Sequence, residues 1–440
     1  MADEPASTAP QTAPQRMPRA RASLLLLLVI NLFNYIDRYI LAAVEPRIRK
    51  EFFAPDSEHA NFWMGTLATA FLVSYMLAAP IFGWLGDRIN RWAIVGAGVL
   101  VWSLASGASG LAATFAILLT TRVFVGIGEA AYGPIAPTII SDMYPVERRG
   151  SVLAWFYMAM PVGTAIGFAL GGFVASVTDS WRWPFYVVVA PGLVLCALSL
   201  LRKDPPRGSA DPSAARRRPT AADYAQLFKI PSYVFNLLGM TAMTFAVGGM
   251  SFWMRTYISE FRGLHNEAQV TTTFGAIVVA SGLTATLLGG YLSDKLRARL
   301  PGSYFTVSAI GMFLGFPLFL AVLWTPFPLA WVFLFLSIFC LFLNTGPTNT
   351  IIANVTHPSI RASAYAVSIL FIHMLGDAIS PFLIGLITDR TKSAEHPGGN
   401  MNTAFLAVSA AILLSGVFWM LGARHLKRDT ELAPTRNGLV

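Results

Sequence analysis

The sequence predicts an all-α membrane protein with twelve transmembrane helices in two pseudo-symmetric six-helix bundles, and three observations lead there. Of its 440 residues, 55% are hydrophobic and 12% charged, whereas soluble domains carry about 25% charged residues. Mostly apolar runs of about twenty residues or more recur about a dozen times, and a bilayer core of roughly 30 Å needs about 20 helical residues per crossing. Finally, one turn occurs twice, as Gly83-Trp84-Leu85-Gly86-Asp87-Arg88 and as Gly290-Tyr291-Leu292-Ser293-Asp294-Lys295, with an offset of 207 residues. That offset is about half the chain, so the repeated unit is a whole half rather than a short solenoid repeat.

Residues 1–21, rich in Pro, Ala, Thr, Gln and Arg, read as a disordered cytoplasmic tail. The next apolar run is too long for a signal-peptide core and carries Asp37 and Arg38, so 22–46 is expected as a retained helix. Spans follow at 61–86, which ends in the first turn, and at 91–110. Next come 114–141, holding Arg122 and Glu129, then 148–176 and 183–202. Together 22–202 form the first six-helix bundle. The Pro- and Arg-rich stretch 203–230, with Arg216-Arg217-Arg218, is a cytoplasmic linker that reads best as an anchor to anionic lipid headgroups. The second bundle, 231–424, has spans at 231–260, 267–295 (ending in the second turn), 302–324, 326–356, 360–388 and 400–424. Residues 425–440 form the last tail.

Twelve crossings put both termini on one side. If that side is cytoplasmic, 22 of the 32 Lys and Arg lie there and seven lie on the other, as the positive-inside rule requires. The net charge of +9 is therefore distributed by loop, which argues for membrane sidedness and against nucleic acid. Cys196 and Cys340 stand in apolar runs without CxxC or Cys/His neighbours, so neither a disulfide nor a metal is expected. The six histidines are scattered and no nucleophile–base set is apparent, so the chain is not expected to be an enzyme. Gly126-Ile127-Gly128-Glu129-Ala130-Ala131 matches a dinucleotide fingerprint only formally, since no strand precedes it. Asn354-Val355-Thr356 matches a glycosylation sequon on the face expected to be cytoplasmic.

Charges inside spans are costly, and each is a functional candidate. At 1.5 Å per residue Asp37 stands roughly 22 Å, and Arg122 roughly 18 Å, from the cytoplasmic ends of their helices. The two are level enough to pair. Glu129 is seven residues beyond Arg122 on the same helix face, so acid, base and acid are expected along one cavity. Arginine stays charged, so a conformational change that moves Arg122 would load or unload a proton on Asp37 or Glu129. Fixed structural ion pairs are the alternative. Arg38 either binds an anionic substrate or anchors its helix. His373 and Asp377, four apart, form a second proton-responsive pair or an interhelical hydrogen bond.

The turn continues to Arg91, and its glycine lets two helices approach while Asp87 binds either the turn's own arginine or a neighbouring helix N-terminus. Gly83, Asp87, Arg88, Arg91, Asp294 and Lys295 are gating candidates, with a rigid turn as the alternative. Pro145-Val146-Glu147-Arg148 and Pro358-Ser359-Ile360-Arg361, 213 apart, add Arg148 and Arg361. Pro161, Gly163, Gly167, Gly171 and Gly172 suit tight helix packing.

The two halves, the repeated turn and Arg122-x-x-x-Gly126-x-Gly128-Glu129 resemble the major facilitator superfamily over residues 22–424. Within it, Asn31-Leu32-Phe33-Asn34-Tyr35-Ile36-Asp37-Arg38, Gly346-Pro347-Thr348-Asn349 through Asn354, and His373-Met374-Leu375-Gly376-Asp377 through Pro381 resemble the Spinster family. Its animal members move sphingosine 1-phosphate and lysophospholipids, some with proton coupling. The resemblance implies the major facilitator fold, with Asp37, Arg38, Arg122 and Glu129 lining a central cavity. A lipid tail would lie among apolar and aromatic residues of both halves. The expected function is a proton-coupled, alternating-access transporter for lysolipid or sphingolipid-like amphipathic anions. Asp37, Arg122 and Glu129 would couple protons, and Arg38, Arg122, Tyr35 and Asn34 would hold substrate. A multidrug/proton antiporter and an uncoupled lipid scramblase or sensor are the rival readings. Protons would be the coupling ion with no cofactor, membrane lipids the surroundings, a plasma or bacterial inner membrane the location, and a monomer the working unit.

Overall fold

The computed structural model describes residues 20–54, 60–211, 224–393 and 399–436; among them every regular element is helical. The tail ahead of Ala20 and the three arginines 216–218 lie outside the described residues. In the first half, α1 (Ala20–Phe52), α2 (Ala60–Gly86) and α3 (Arg91–Gly110) each cross once. The fourth crossing is α4 (Phe115–Ala130) with α5 (Ala136–Met143), the fifth α6 (Arg149–Tyr157) with α7 (Ala159–Thr178), and the sixth α8 (Trp183–Val187) with α9 (Val189–Leu200). The second half repeats this plan. It runs α10 (Pro231–Thr256), α11 (Glu267–Leu296), α12 (Ser303–Trp324), α13 (Leu329–Phe342) with α14 (Thr345–Val355), α15 (Arg361–Ile372) with α16 (Ser380–Arg390), and α17 (Met401–Ala423), and α18 (Leu426–Leu432) follows.

Starts and breaks have local causes. The side chains of Asn90, Thr114, Asn266 and Asn400 accept the backbone N–H three residues on, satisfying a donor that a first helical turn leaves free. The span expected to be continuous over 114–141 is instead interrupted at residues 131–135. Pro134 and Pro137 lack the N–H an unbroken helix needs there. Among the described residues, eleven helical stretches are consequently long and apolar enough to cross a membrane, and the fourth crossing, made of two shorter pieces, is not one of them. α1 runs past its expected end at 46, carrying Pro46 inside it. The eleventh crossing passes through a π-helical turn at His373–Asp377.

The buried apolar cores sort by half. One lies wholly within residues 227–426, and the first-half clusters take in only Ala362 and Ala366 from the second. Within the first bundle α7 presses its small residues on α1: a Cβ on Gly163 would lie 2.6 Å from Tyr35 Cβ, whereas one on Gly172 meets nothing within 4 Å. Between bundles the main contacts are α2 on α15, and α6 on α11 and α14. Second and eleventh, and fifth and eighth crossings are equivalent pairs under the half-chain repeat, so the interface shares the pseudo-symmetry. The start of α1, the segment 201–211 and α18 all lie on one face, hereafter the terminal face.

Candidate functional site

A cavity of about 480 Å³ lies between the bundles. The first bundle contributes Asn31, Asn34, Tyr35, Arg38, Tyr75 and Glu129, and the second contributes Asn344, Thr348, Asn349, His373 and Asp377. Arg38 forms an ion pair with Glu129, and its guanidinium sits 4.6 Å from the Phe71 ring centroid, 5.1 Å from Tyr35 and 5.7 Å from Tyr75. The Arg38 side chain keeps 30% of its surface exposed while Glu129 keeps 1%, so of the two cavity-lining partners the cation is the more open. On the facing wall His373 Nδ1 lies 3.0 Å from Asp377 Oδ2, and the Tyr75 ring stands edge-on to His373 at 5.8 Å across the bundles. Tyr157 donates to Asn349 Oδ1 at 2.8 Å and Tyr365 to the Asn349 carbonyl at 2.6 Å. Met160, Pro161, Val247, Val278 and Phe342 supply apolar wall.

Asp37 and Arg122 do not line this cavity and do not pair with each other, contrary to the expected ladder of acid, base and acid. The reason is α3, whose Ser106 and Ser109, one turn apart, face them. Ser106 donates to Asp37, and Arg122 donates to Ser109 Oγ at 2.5 Å with its guanidinium 5.6 Å from the Phe185 ring. Asp37 Oδ2 and Arg122 Nε are buried without a hydrogen-bond partner among the described residues. Successive side chains on α1 therefore diverge, with Asp37 inside the first bundle and Arg38 at the interface between bundles. Glu129 takes Arg38, rather than Arg122, as its cation.

At the terminal face the cavity is closed by two equivalent latches. Asp87 accepts the N–H groups of Ala362 (3.0 Å) and Ser363 (3.1 Å) in the first turn of α15, where backbone donors are free and the helix dipole favours a negative charge. Asp294 does the same to α6, accepting from Ser151 N–H and Oγ, each at 2.7 Å. Of the two partners open to Asp87 in the sequence, the neighbouring helix is the one used. Burial pushes the Asp87 carboxyl up to about 7 against these hydrogen bonds and the charge of Arg207. Glycine lets the helices meet: a Cβ on Gly83 would lie 2.5 Å from Ala366 Cβ, and one on Gly290 2.4 Å from Ala154 Cβ.

Between the latches lies a buried ionic network. Arg361 binds Asp142 (3.0 Å) and Asp211 (3.0 Å), Arg149 binds Asp211 (2.9 Å), and Arg91 binds Asp142 (2.6 Å) and Asp204 (2.9 Å). Asp211 thus joins an arginine of each bundle. Burial alone would raise its carboxyl, but Arg361 and Arg149 outweigh it and hold it at about 2. Two gating candidates stand elsewhere. Arg148 is exposed at the surface, and the buried neighbour that enters the network is Arg149. Lys295 packs 5.6 Å from the Tyr291 ring on its own helix, and Arg297 instead reaches Glu147 at 3.3 Å. Arg88 stacks 4.2 Å from the Trp84 ring and hydrogen-bonds Tyr224. Asp142, Asp211 and the cavity tyrosines Tyr75 and Tyr157 were not singled out by sequence; an acid near the end of an apolar run was the available signal for Asp142.

The chain matches the family described as Major Facilitator Superfamily over residues 27–381. It is 35% identical over 447 residues to protein spinster homolog 3 of Danio rerio, covering 96% of this chain and 89% of that protein. It is also 33% identical to the sphingosine-1-phosphate transporter SPNS2 of the same organism, covering 92% and 84%. Among solved structures it resembles a bacterial homologue of the human lysosomal transporter Spinster, inward-facing and unoccupied, at 21% identity and TM-score 0.57 over 95% of this chain and 98% of the other. The overlap with the transporter FucP in its outward conformation is higher, TM-score 0.72 at 15% identity over 92% and 99%. With a family match over most of its length and relatives above 30% identity over more than nine-tenths of this chain, this integral membrane chain belongs to the major facilitator superfamily and, within it, to the Spinster family of transporters.

Proposed function

We propose that the protein is a proton-coupled, alternating-access transporter of single-chain amphipathic anions such as lysolipids or sphingolipid-like phosphates. The observation that carries this is the partly exposed Arg38 held by the buried Glu129 at the cavity wall. A substrate phosphate or carboxylate entering the cavity competes with Glu129 for the same guanidinium. Protonation of Glu129 removes the competitor and frees Arg38 for the substrate, so proton and anion binding are linked in one step. The apolar stretch around Met160, Val278 and Phe342 suits a hydrocarbon tail, and a volume of about 480 Å³ falls in the range of small-molecule sites, roughly 300–1,000 Å³.

In this reading the terminal face is cytoplasmic and the conformation is the one closed to the cytoplasm, in line with the better overlap with an outward structure. Rocking of the bundles would part Asp87 from α15 and Asp294 from α6 together, because the two contacts are related by the repeat. Asp37 and Arg122, sealed inside the first bundle, would act on the cavity through α1 and α4 rather than by touching substrate.

The test is equilibrium binding of labelled lysophosphatidate against the uncharged monoacylglycerol of the same chain. The wild-type protein is expected to favour the anion, more strongly at lower pH, and Arg38→Gln to lose the preference. Equal binding of the two ligands by the wild-type protein would overturn the assignment.

A further inference from the structure

A second cavity, of about 660 Å³, opens on the terminal face between the start of α1, the end of α5 and α9. Its lining is mainly apolar, with Met143, Leu198, Leu201 and Pro205, and Arg202 and Lys203 line it where α9 ends. Neither cation has an ion-pair partner among the described residues. Asp204 also lines the cavity, but its carboxylate is committed to the Arg91 backbone and guanidinium, each at 2.9 Å.

The surroundings identify the ligand class. Val194, Leu198 and Leu201 (58%, 42% and 80% exposed) follow one another at helical spacing along the outer surface of α9. An apolar strip exposed on a membrane-crossing helix faces acyl chains, and here it runs into the cavity and ends at two cations that have no ion-pair partner among the described residues. Basic pockets between helices at the membrane boundary suit anionic headgroups. We infer that this cavity is a site for a bilayer phospholipid with an anionic headgroup, its phosphate on Arg202 and Lys203 and one acyl chain between α1 and α9.

The site also has a mechanical neighbour. Lys203 precedes Asp204, and the segment continues through Arg207, which donates to the Gly86 and Ile89 carbonyls, to Asp211 between the two bundles. A lipid seated on Arg202 and Lys203 would hold the start of the strap whose far end joins Arg149 and Arg361, and so favour the closed terminal face. This inference is independent of the transported substrate.

The experiment uses the full-length purified protein, delipidated and titrated with palmitoyl-oleoyl phosphatidylglycerol or the phosphatidylcholine of the same chains, with retained lipid read by native mass spectrometry. Wild type is expected to retain one phosphatidylglycerol in preference to phosphatidylcholine. Arg202→Gln/Lys203→Gln should lower that preference by roughly tenfold or more. Leu198→Trp, which fills the cavity and leaves both charges, should lower phosphatidylglycerol retention too. Melting without lipid checks that each variant is folded. Unchanged preference in the double variant would overturn the site, as would displacement by glycerol phosphate alone, which would mark a free-phosphate site.

Discussion

A methyl group added at Gly83 tests whether the closed terminal face is one of two alternating states. The new Cβ would stand 2.5 Å from Ala366 Cβ and 2.9 Å from the Ala362 carbonyl oxygen, against an ordinary contact of 3.4–4 Å. Relief requires α2 and α15 to part by about 1 Å, which also stretches the hydrogen bonds of Asp87 to Ala362 and Ser363. Overpacking of this kind costs about 1–3 kcal/mol. It falls only on the closed conformer, because in the conformer with the bundles apart the methyl meets neither atom. Gly83→Ala should therefore shift the ratio of closed to open roughly 5- to 150-fold toward open. Gly290→Ala, 2.4 Å from Ala154 Cβ and 2.7 Å from the Gly150 carbonyl oxygen, should do the same from the equivalent contact. The readout is the distance distribution between spin labels at Ile89 and Leu300, exposed positions on the terminal ends of the two bundles. Gly172→Ala, with nothing within 4 Å, is the neutral control. A Gly83→Ala protein with wild-type distances would refute the reasoning, since the methyl would then be accommodated without separating the bundles.

Three further outcomes follow from the same geometry. The Asp87 carboxyl is raised from 3.8 to about 7 in the closed face, so protons bind that conformer more tightly. Its stabilisation is full below about 3.8 and is lost as pH rises through about 7. The labelled protein should open as pH goes from 5 to 8, and Asp87→Asn should flatten that slope; closure that strengthens with pH would contradict the assignment. Asp211→Asn leaves Arg149 and Arg361 with a neutral partner and should cost the closed conformer about 1.5–3 kcal/mol, seen as faster cysteine labelling of the terminal face. Unchanged labelling would show that the linker is a passive tether. Glu129→Gln frees Arg38 from its competitor, so anion binding should become stronger and lose its pH dependence, whereas weaker binding would show Glu129 to be a direct substrate ligand.

Much of the fold was legible because a bilayer leaves few choices: apolar length fixes the crossings, and the repeated turn fixes the two halves. The break at residues 131–135 was missed although Gly133-Pro134 and Pro137 stood in the sequence, because apolarity alone carries no signal for helix continuity. Rise per residue placed Asp37 and Arg122 at similar depth but said nothing of rotation. Ser106 and Ser109 on α3 intervene, and only packing shows that Arg38 turns toward Glu129 while Asp37 turns away. Arg148 and Arg149 are indistinguishable by sequence position. The 3-10 turn at Val146–Arg148 ends just before α6 and leaves the second of the two buried. Asp211 lies in a polar linker where an acid carries no cost, so nothing local marks it as the bridge between bundles.

The most direct measurement is uptake of a labelled lysophospholipid into proteoliposomes holding the purified protein, with and without an imposed pH gradient, for wild type and Glu129→Gln. Coupling through the Arg38–Glu129 pair predicts flux that rises with the gradient in wild type and is indifferent to it in the variant. Wild-type flux of the same size with and without the gradient would contradict proton coupling, and gradient-driven flux that survives in Glu129→Gln would place the coupling elsewhere.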